Sequence, residues 1–258
     1  YKVVAGIRIK NEAWIINKTL HALNNFCDTV VVYDDQSTDS TEEICRSYDF
    51  VDWKVAPPRD PYMWRAGQQA TDLLKFVESH DPDYVLMLDA DELPTPSVVE
   101  FFNSIDEDIN LWRTRMVNLE DDSNYRIDSY TTSTGANINW DPFVENAWRK
   151  HTIMKYEKGF QYTYEPLKVG LGSFGPLHPA PNNVPSPYMQ TEDFYILHYG
   201  RISPRYRSGQ KQQFLAKNDE ITGVGSYEDR LAHHMGCSGL SDNTPPTLIN
   251  CKKEWFWK

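Results

Sequence analysis

The chain has 258 residues, with 26 Lys or Arg against 37 Asp or Glu, a formal net charge of −11 at pH 7. Its 40% hydrophobic and 24% charged residues describe a folded globule with enough chain for a full core. The acidic excess excludes a generic nucleic-acid binder, and no apolar run approaches the roughly 18–20 residues that span a bilayer. Divalent cations remain open as ligands. The charge is uneven: residues 1–130 hold 25 acidic and 12 basic residues, net −13, and residues 131–258 hold 12 and 14, net +2.

In chain order, Val3–Ile9 is a β-branched run that reads as a buried strand. Asn11 can cap a following helix that carries Trp14, Ile15, Thr19, Leu20, Leu23 and Phe26 at helical spacing. Thr29–Tyr33 is a second buried strand, ended by the polar turn Asp34–Ser37. Ser40-x-x-Glu43 predicts a capping box on a short helix reaching Ser47. Val51–Val55 is a third strand, then a helix from Trp64 to Ser79, then Tyr84–Leu88 as a fourth strand. This alternation predicts an α/β fold with a mostly parallel sheet and helices on both faces.

The grammar then changes. Pro94–Ile105 reads as a helix with Glu92 as a charge near its first turn. Leu111–Asn118 and Arg126–Thr132 read as strands, Gly135–Glu145 as a loop, and Arg149–Tyr156 with Phe160–Tyr164 as a hairpin, a small antiparallel addition. Gly170–Pro187 is a long Gly- and Pro-rich loop, Phe194–Tyr199 a last strand, Ser203–Asn218 a basic helix and Tyr227–Met235 another. No linker divides the chain, so one domain over 1–258 is expected, with a nucleotide- and metal-binding half (1–95) and an acceptor-side half (96–258).

Four cysteines lie far apart: Cys27, Cys45, Cys237 and Cys251. They fit free thiols in a reducing, cytoplasmic compartment, with a Cys237–Cys251 disulfide as the alternative. The sequence opens at Tyr1, compatible with a removed upstream segment. The terminal Lys252–Lys258 stretch, with Trp255 and Trp257, fits docking on the domain or an interfacial anchor.

Leu86–Leu88 runs into Asp89-Ala90-Asp91-Glu92, three carboxylates at the C-terminal end of a buried strand. Ligands of open α/β sheets bind beyond such ends. Hard oxygen donors suit Mg²⁺ or Mn²⁺, which in turn hold phosphates; an acidic strand-to-helix turn is the alternative. Asp34 and Asp35 end another buried strand, suited to accepting hydrogen bonds from base or sugar groups.

Three stretches in order, Arg8–Glu12, Asp34–Asp39 and the D-x-D element Asp89–Glu92, with Arg65-Ala66-Gly67 at a helix start, make the chain resemble the family 2 glycosyltransferases of GT-A fold. The resemblance is specific over residues 1–95. It implies that Asp35 reads the nucleotide base, uracil above others. Asp89 would contact ribose or donor sugar, and Asp91 would ligate Mn²⁺ or Mg²⁺ on the diphosphate. Ile9, Asn11 and Glu12 would line the nucleotide pocket. Arg65 would meet phosphate or sugar, unless it is a surface residue paired with Asp60.

His198 stands where many relatives complete the metal shell, with a hydrogen-bonded strand-end His as the alternative. Arg201, together with Arg205, Arg207 and Lys211, would clamp the diphosphate or form a solvated helix face. A general base for the acceptor hydroxyl would be Glu165 or Asp193, with Glu192 and Glu145 behind them. A Tyr at position 164 replaces the His of the relatives' His-Glu pair, and no Q-x-x-R-W string or membrane helix accompanies Thr191-Glu192-Asp193, so a processive polysaccharide synthase is excluded.

The resemblance thus implies a metal-dependent, inverting, hexosyltransferase-type enzyme that moves sugar from a nucleotide donor, UDP-sugar foremost, to a glycan or other hydroxyl acceptor. A non-catalytic nucleotide- or glycan-binding protein of the same fold is the alternative. A sugar-phosphate nucleotidyltransferase is the lesser one, because no Gly-rich basic loop follows the first strand.

Overall fold

The computed structural model describes residues 1–58, 66–127, 129–131, 137–139, 141–144, 149–160, 181, 184–221, 223, 225–238 and 247–258. Its elements run β1 (Val3–Ile9), α1 (Ile16–Leu23), β2 (Thr29–Asp34), α2 (Thr41–Arg46), β3 (Val51–Val55), α3 (Ala66–Glu78), β4 (Tyr84–Asp89), β5 (Glu92–Pro94), α4 (Val98–Asn103) and β6 (Leu111–Asn118). Then come β7 (Asn124–Arg126), β8 (Ser129–Thr131), β9 (Asn137–Asn139), β10 (Arg149–Lys155), β11 (Tyr188–Gln190), β12 (Ile196–His198), α5 (Pro204–Arg207), α6 (Gln210–Ile221), α7 (Tyr227–Ser238), β13 (Leu248–Asn250) and a 3₁₀ turn, Lys253–Trp255.

A nine-stranded sheet runs β3-β2-β1-β4-β10-β6-β12-β5, with β11 also on β6. Strands β1 to β4 pair in parallel. β10 enters antiparallel to both β4 and β6, and β12 lies parallel to β6 and antiparallel to β5. The fold is therefore α/β with a mostly parallel sheet and a small antiparallel part. Runs such as Val30–Val32 and Val85–Leu88 are fully buried because both faces are covered. On one face Ile7, Val32 and Leu86 pack with Ile16, Leu20 and Leu23 of α1 and Phe101 of α4. On the other Val31, Val85 and Met87 pack with Leu73, Leu74 and Val77 of α3.

The parallel register sets the site. Ile9 aligns with Asp34, and Arg8 with both Tyr33 and Asp89. Asp34 and Asp89 thus end the two strands flanking β1, about 10 Å apart at two strand spacings, and Asp35 follows directly after β2.

Several local expectations are corrected. Asn11 does not cap α1: it sits at φ 55°, an αL position Asn tolerates, and its Oδ1 accepts from Thr38 N at 2.7 Å. The Glu12 carbonyl instead accepts from Ile15 and Ile16 N. α2 opens at Ser40 without its side-chain bond; Asp39 Oδ1 accepts from Thr41 N and Oγ1 instead. Glu92 starts a buried strand rather than a helix, because β12 offers β5 a pairing edge. The strand expected over 126–132 divides into β7 and β8, and β8 pairs with β9 inside the expected loop. The basic helix breaks at Gly209, φ 77°, into α5 and α6. Cys27, Cys45 and Cys251 are free thiols, so the Cys237–Cys251 bond is absent. The C-terminal stretch docks: Trp255 is buried against Tyr125, Phe143 and Tyr195, and Trp257 Nε1 donates to Pro94 O at 2.8 Å. Residues 161–164 of the expected hairpin and most of the 170–187 loop lie outside the described residues.

Candidate active site

The first half of the site is a nest of loop contacts beyond β1 and β2. Asp34 and Asp35 have divided roles. Asp34 accepts from Ser37 N at 2.9 Å and from Ser37 Oγ at 2.5 Å, closing the turn. Burial pushes its carboxyl up, and the Ser37 bonds pull the other way. Asp35 is anchored by its backbone, N donating to Ile9 O at 2.8 Å, which leaves its carboxylate on the strand-end side, 3.6 Å from Lys10 Nζ. Ile9 is buried beneath it. Asn11 N donates to Ser37 Oγ at 2.8 Å and Glu12 N to Thr41 Oγ1 at 2.9 Å, locking the two loops together. Glu12 accepts from Trp14 Nε1 at 2.5 Å. Burial, then the charge of Asp91, pushes its carboxyl up to about 7.

The second half is the D-x-D turn. Asp89 lies 3.8 Å from Arg8 Nη2. Glu92 is fully buried, and its Oε2 accepts from Asp89 N at 2.8 Å and from the equally buried Lys150 Nζ. Asp91 is held by its carbonyl, which accepts from Tyr199 N at 2.8 Å. Its Oδ2 is 3.6 Å from His198 Nε2. Burial pushes the Asp91 carboxyl up, but the His198 imidazole and Lys211 outweigh it and hold it below its usual value.

His198 is oriented from behind. In the β12–β6 ladder it aligns with Asn118, and its Nδ1 meets Asn118 Oδ1 at 2.8 Å. Since an amide oxygen only accepts, Nδ1 donates to it, and this bond turns the Nε2 edge of the ring toward Asp91. Gly200 keeps this space open: a Cβ there would lie 2.5 Å from His198 Nε2 and 3.0 Å from Asp91 Oδ2.

These residues fit a divalent cation. An imidazole nitrogen and a carboxylate oxygen 3.6 Å apart are near enough for one ion to reach both, each bond being about 2.1 Å. Among the described residues no group of three or more His, Cys, Asp and Glu side chains is placed to hold a metal. One or two protein ligands completed by substrate phosphates is the ordinary arrangement for Mg²⁺.

The basic residues after β12 separate into two sets. Arg201 Nε donates to Glu120 Oε2 at 2.7 Å and its Nη1 to Tyr206 OH at 2.8 Å, while Arg207 Nη2 donates to Glu120 O at 2.8 Å. Arg205 Nη1 instead donates to Lys10 O at 3.4 Å, and Arg205 and Lys211 both bear on the Glu12 carboxyl. Asp193 is exposed and accepts from Thr191 Oγ1 at 2.8 Å. It precedes β12, whereas His198 ends it, so the structure does not bring the two together. Arg65, Glu145 and Glu165 lie outside the described residues.

Residues 5–174 match the model of a family described as "Glycosyl transferase family 2". The chain belongs to that family. It is a glycosyltransferase-family chain whose GT-A architecture follows with the membership. Among solved structures, TarS of S. aureus is similar at 23% identity and TM-score 0.39, over 47% of this chain and 22% of that one. Its 1–349 form is similar at 14% identity and TM-score 0.45, over 94% and 73%. Glucosyl-3-phosphoglycerate synthase from Mycobacterium tuberculosis, in complex with Mn²⁺, UDP and glucosyl-3-phosphoglycerate, is similar at 18% identity and TM-score 0.35, over 45% and 44%. The chain thus spans less than half the length of full TarS and of the synthase. No curated protein sequence matches it. Among the described residues no helix is long and apolar enough to cross a membrane.

Sequence reasoning missed Asn118, Gly200 and Lys150. Asn118 ends a strand with no motif around it. His198-Tyr199-Gly200 did contain a readable signal, a glycine two residues after a candidate ligand.

Proposed function

We propose that the chain is a metal-dependent glycosyltransferase that takes a nucleoside-diphosphate sugar, UDP-sugar foremost, as donor and a hydroxyl group as acceptor. The observation that carries this is the Asp91–His198 pair, with Nδ1 of His198 engaged by Asn118 and space kept by Gly200. Family membership supports glycosyl transfer. The single sheet shared by residues 3–198 supports reading the chain as one domain, and the free thiols support a cytoplasmic setting.

Asp91 and His198 would hold Mn²⁺ or Mg²⁺, which when bound supplies charge stabilisation to the departing diphosphate. Asp35 accepts from the base N–H at the end of β2, with Ile9, Asn11 and Glu12 forming the floor of the pocket. Asp89, held by Glu92 through its backbone N–H, accepts from ribose or donor-sugar hydroxyls. Lys211 and Arg205, on the site side of α5 and α6, place positive charge beside the diphosphate, whereas Arg201 acts through Glu120 to fix the segment after β12. Arg65 is assigned to donor phosphate or sugar.

The acceptor hydroxyl gives its proton to a carboxylate as it attacks the anomeric carbon, and the carbon–oxygen bond to the diphosphate breaks, inverting the centre in one displacement. Glu165 is the base in this reading, ahead of Asp193, which stands at the far end of β12 from His198.

Calorimetric titration of UDP with and without Mn²⁺ tests the proposal. The wild-type chain should bind UDP at least tenfold more tightly with Mn²⁺, and Asp91→Ala should remove that difference. Equal UDP affinity of the two proteins in Mn²⁺ would overturn the metal assignment.

A further inference from the structure

Strands β6 and β10 gather arginines on one face of the sheet. Arg149 and Arg115 are direct partners in the antiparallel ladder, and Arg113 stands two residues along β6 from Arg115. All three therefore project from one face. It is the face of Leu111 and Met87, which pack beneath α3, and so also that of Asp89, two residues beyond Met87, and of its register partner Arg8. The level is that of the D-x-D turn. Lys150, the neighbour of Arg149, reaches Glu92 on the opposite face, and Glu92 also holds Asp89 N.

Like charges directly opposite on a ladder destabilise a sheet unless something neutralises them. Among the described residues, the carboxylates paired with these four guanidinium groups include Asp89, beside Arg8, and Glu192. Glu192 contacts Arg115 directly and lies 3.9 Å from Arg149, yet its side chain is 60% exposed while that of Arg115 is 9% exposed. The Nε atoms of Arg113 and Arg115 are buried with no hydrogen-bond partner among the described residues. A solvent-side carboxylate over a buried to half-buried arginine row is the arrangement an incoming oxyanion would replace, and guanidinium forks match phosphate and carboxylate geometry.

We propose that Arg113, Arg115 and Arg149 form an oxyanion subsite for the acceptor, so that the hydroxyl compound glycosylated here carries a phosphate or carboxylate group. The proposal rests on the reading of the strand-end site as the donor site. Arg149 lies one strand and Arg115 two strands from β4, about 5 and 10 Å across the sheet. The anion therefore sits within the span of one small polyol or sugar from the donor.

The test titrates inorganic phosphate, and acetate in a parallel arm, into the protein already saturated with UDP and Mg²⁺. One oxyanion should bind without displacing UDP. Arg113→Gln should weaken that binding at least tenfold and Arg113→Lys less, both keeping wild-type UDP affinity and circular dichroism; Arg149→Gln should act like Arg113→Gln. A preference for phosphate or for acetate names the anion, and either supports the subsite. Binding of neither, displacement of UDP, or unchanged affinity in both glutamine variants would overturn it. If the protein fails to bind UDP, the donor reading falls, while the same titration in its absence still decides whether the arginines hold an anion.

Discussion

Gly200 is where a single missing carbon matters most. Its absent Cβ would press on the Nε2 edge of His198 and on Asp91 Oδ2 together, where His198 is tied at Nδ1 by Asn118 and Asp91 at its backbone carbonyl by Tyr199 N. Gly200→Ala should therefore cost about 1–3 kcal/mol in urea unfolding and weaken Mn²⁺ binding at least tenfold, read by the paramagnetic resonance of free Mn²⁺. Glu12 gives a pH signature. Its carboxyl is pushed up to about 7 in the folded chain from 4.5, so the folded state binds the proton more tightly than the unfolded one between those values. Its favourable contribution is complete below about 4.5 and is lost as pH rises through 7. Glu12→Gln should gain on the metal-free wild type from pH 5 to pH 8, by on the order of 2–3 kcal/mol in denaturant midpoints. At this scale the acidic motifs were legible because they follow buried strands. The choice of Asp35 over Asp34 came from the family resemblance alone, whereas the Ser37 turn that occupies Asp34 was not legible, and Asn118 was invisible because its role comes from a residue 80 positions away.

β5 is the element that turns the D-x-D string into a site. Three residues long, it is gripped by β12 along its edge and by Lys150 through Glu92. Removing one partner of a buried ion pair leaves an uncompensated charge, so Lys150→Met should destabilise by about 3–5 kcal/mol. The double variant with Glu92→Leu should recover much of that loss in chemical unfolding. The parallel strands and α3 were readable as apolar runs and a 3.6-residue period. β5 was not, because Glu92-Leu93-Pro94 has no strand pattern and owes its conformation to an edge supplied by β12, far along the chain. Capping misled for the same reason: Asn11 and Ser40 are good cap residues by type, but Thr38 N and the Asp39 carboxylate offered better local partners.

Across the whole molecule, the acidic residues 1–130 supply the strand-end carboxylates together with Arg113 and Arg115, and residues 131–258 supply His198, Lys211 and Arg149. The net charge of −11 thus conceals a cationic face inside the sheet. The C-terminal stretch belongs to the same assembly. Trp255 is buried in an aromatic cluster and Trp257 reaches Pro94, the last residue of β5. Trp255→Ala should cost about 3–5 kcal/mol in urea unfolding. Docking of this stretch was anticipated from its tryptophans, whereas its target was not, since nothing in positions 252–258 points to Pro94. Insertion of β12 between β6 and β5 also orders events in time. The nucleoside loops, Arg8–Glu12 and Asp34–Asp39, close over short stretches of chain, but His198 meets Asp91 only after long-range pairing, which is slow because loop closure must precede its reward. During refolding, recognition of the nucleoside should return before dependence on the metal, so the two halves of the site would carry separate clocks.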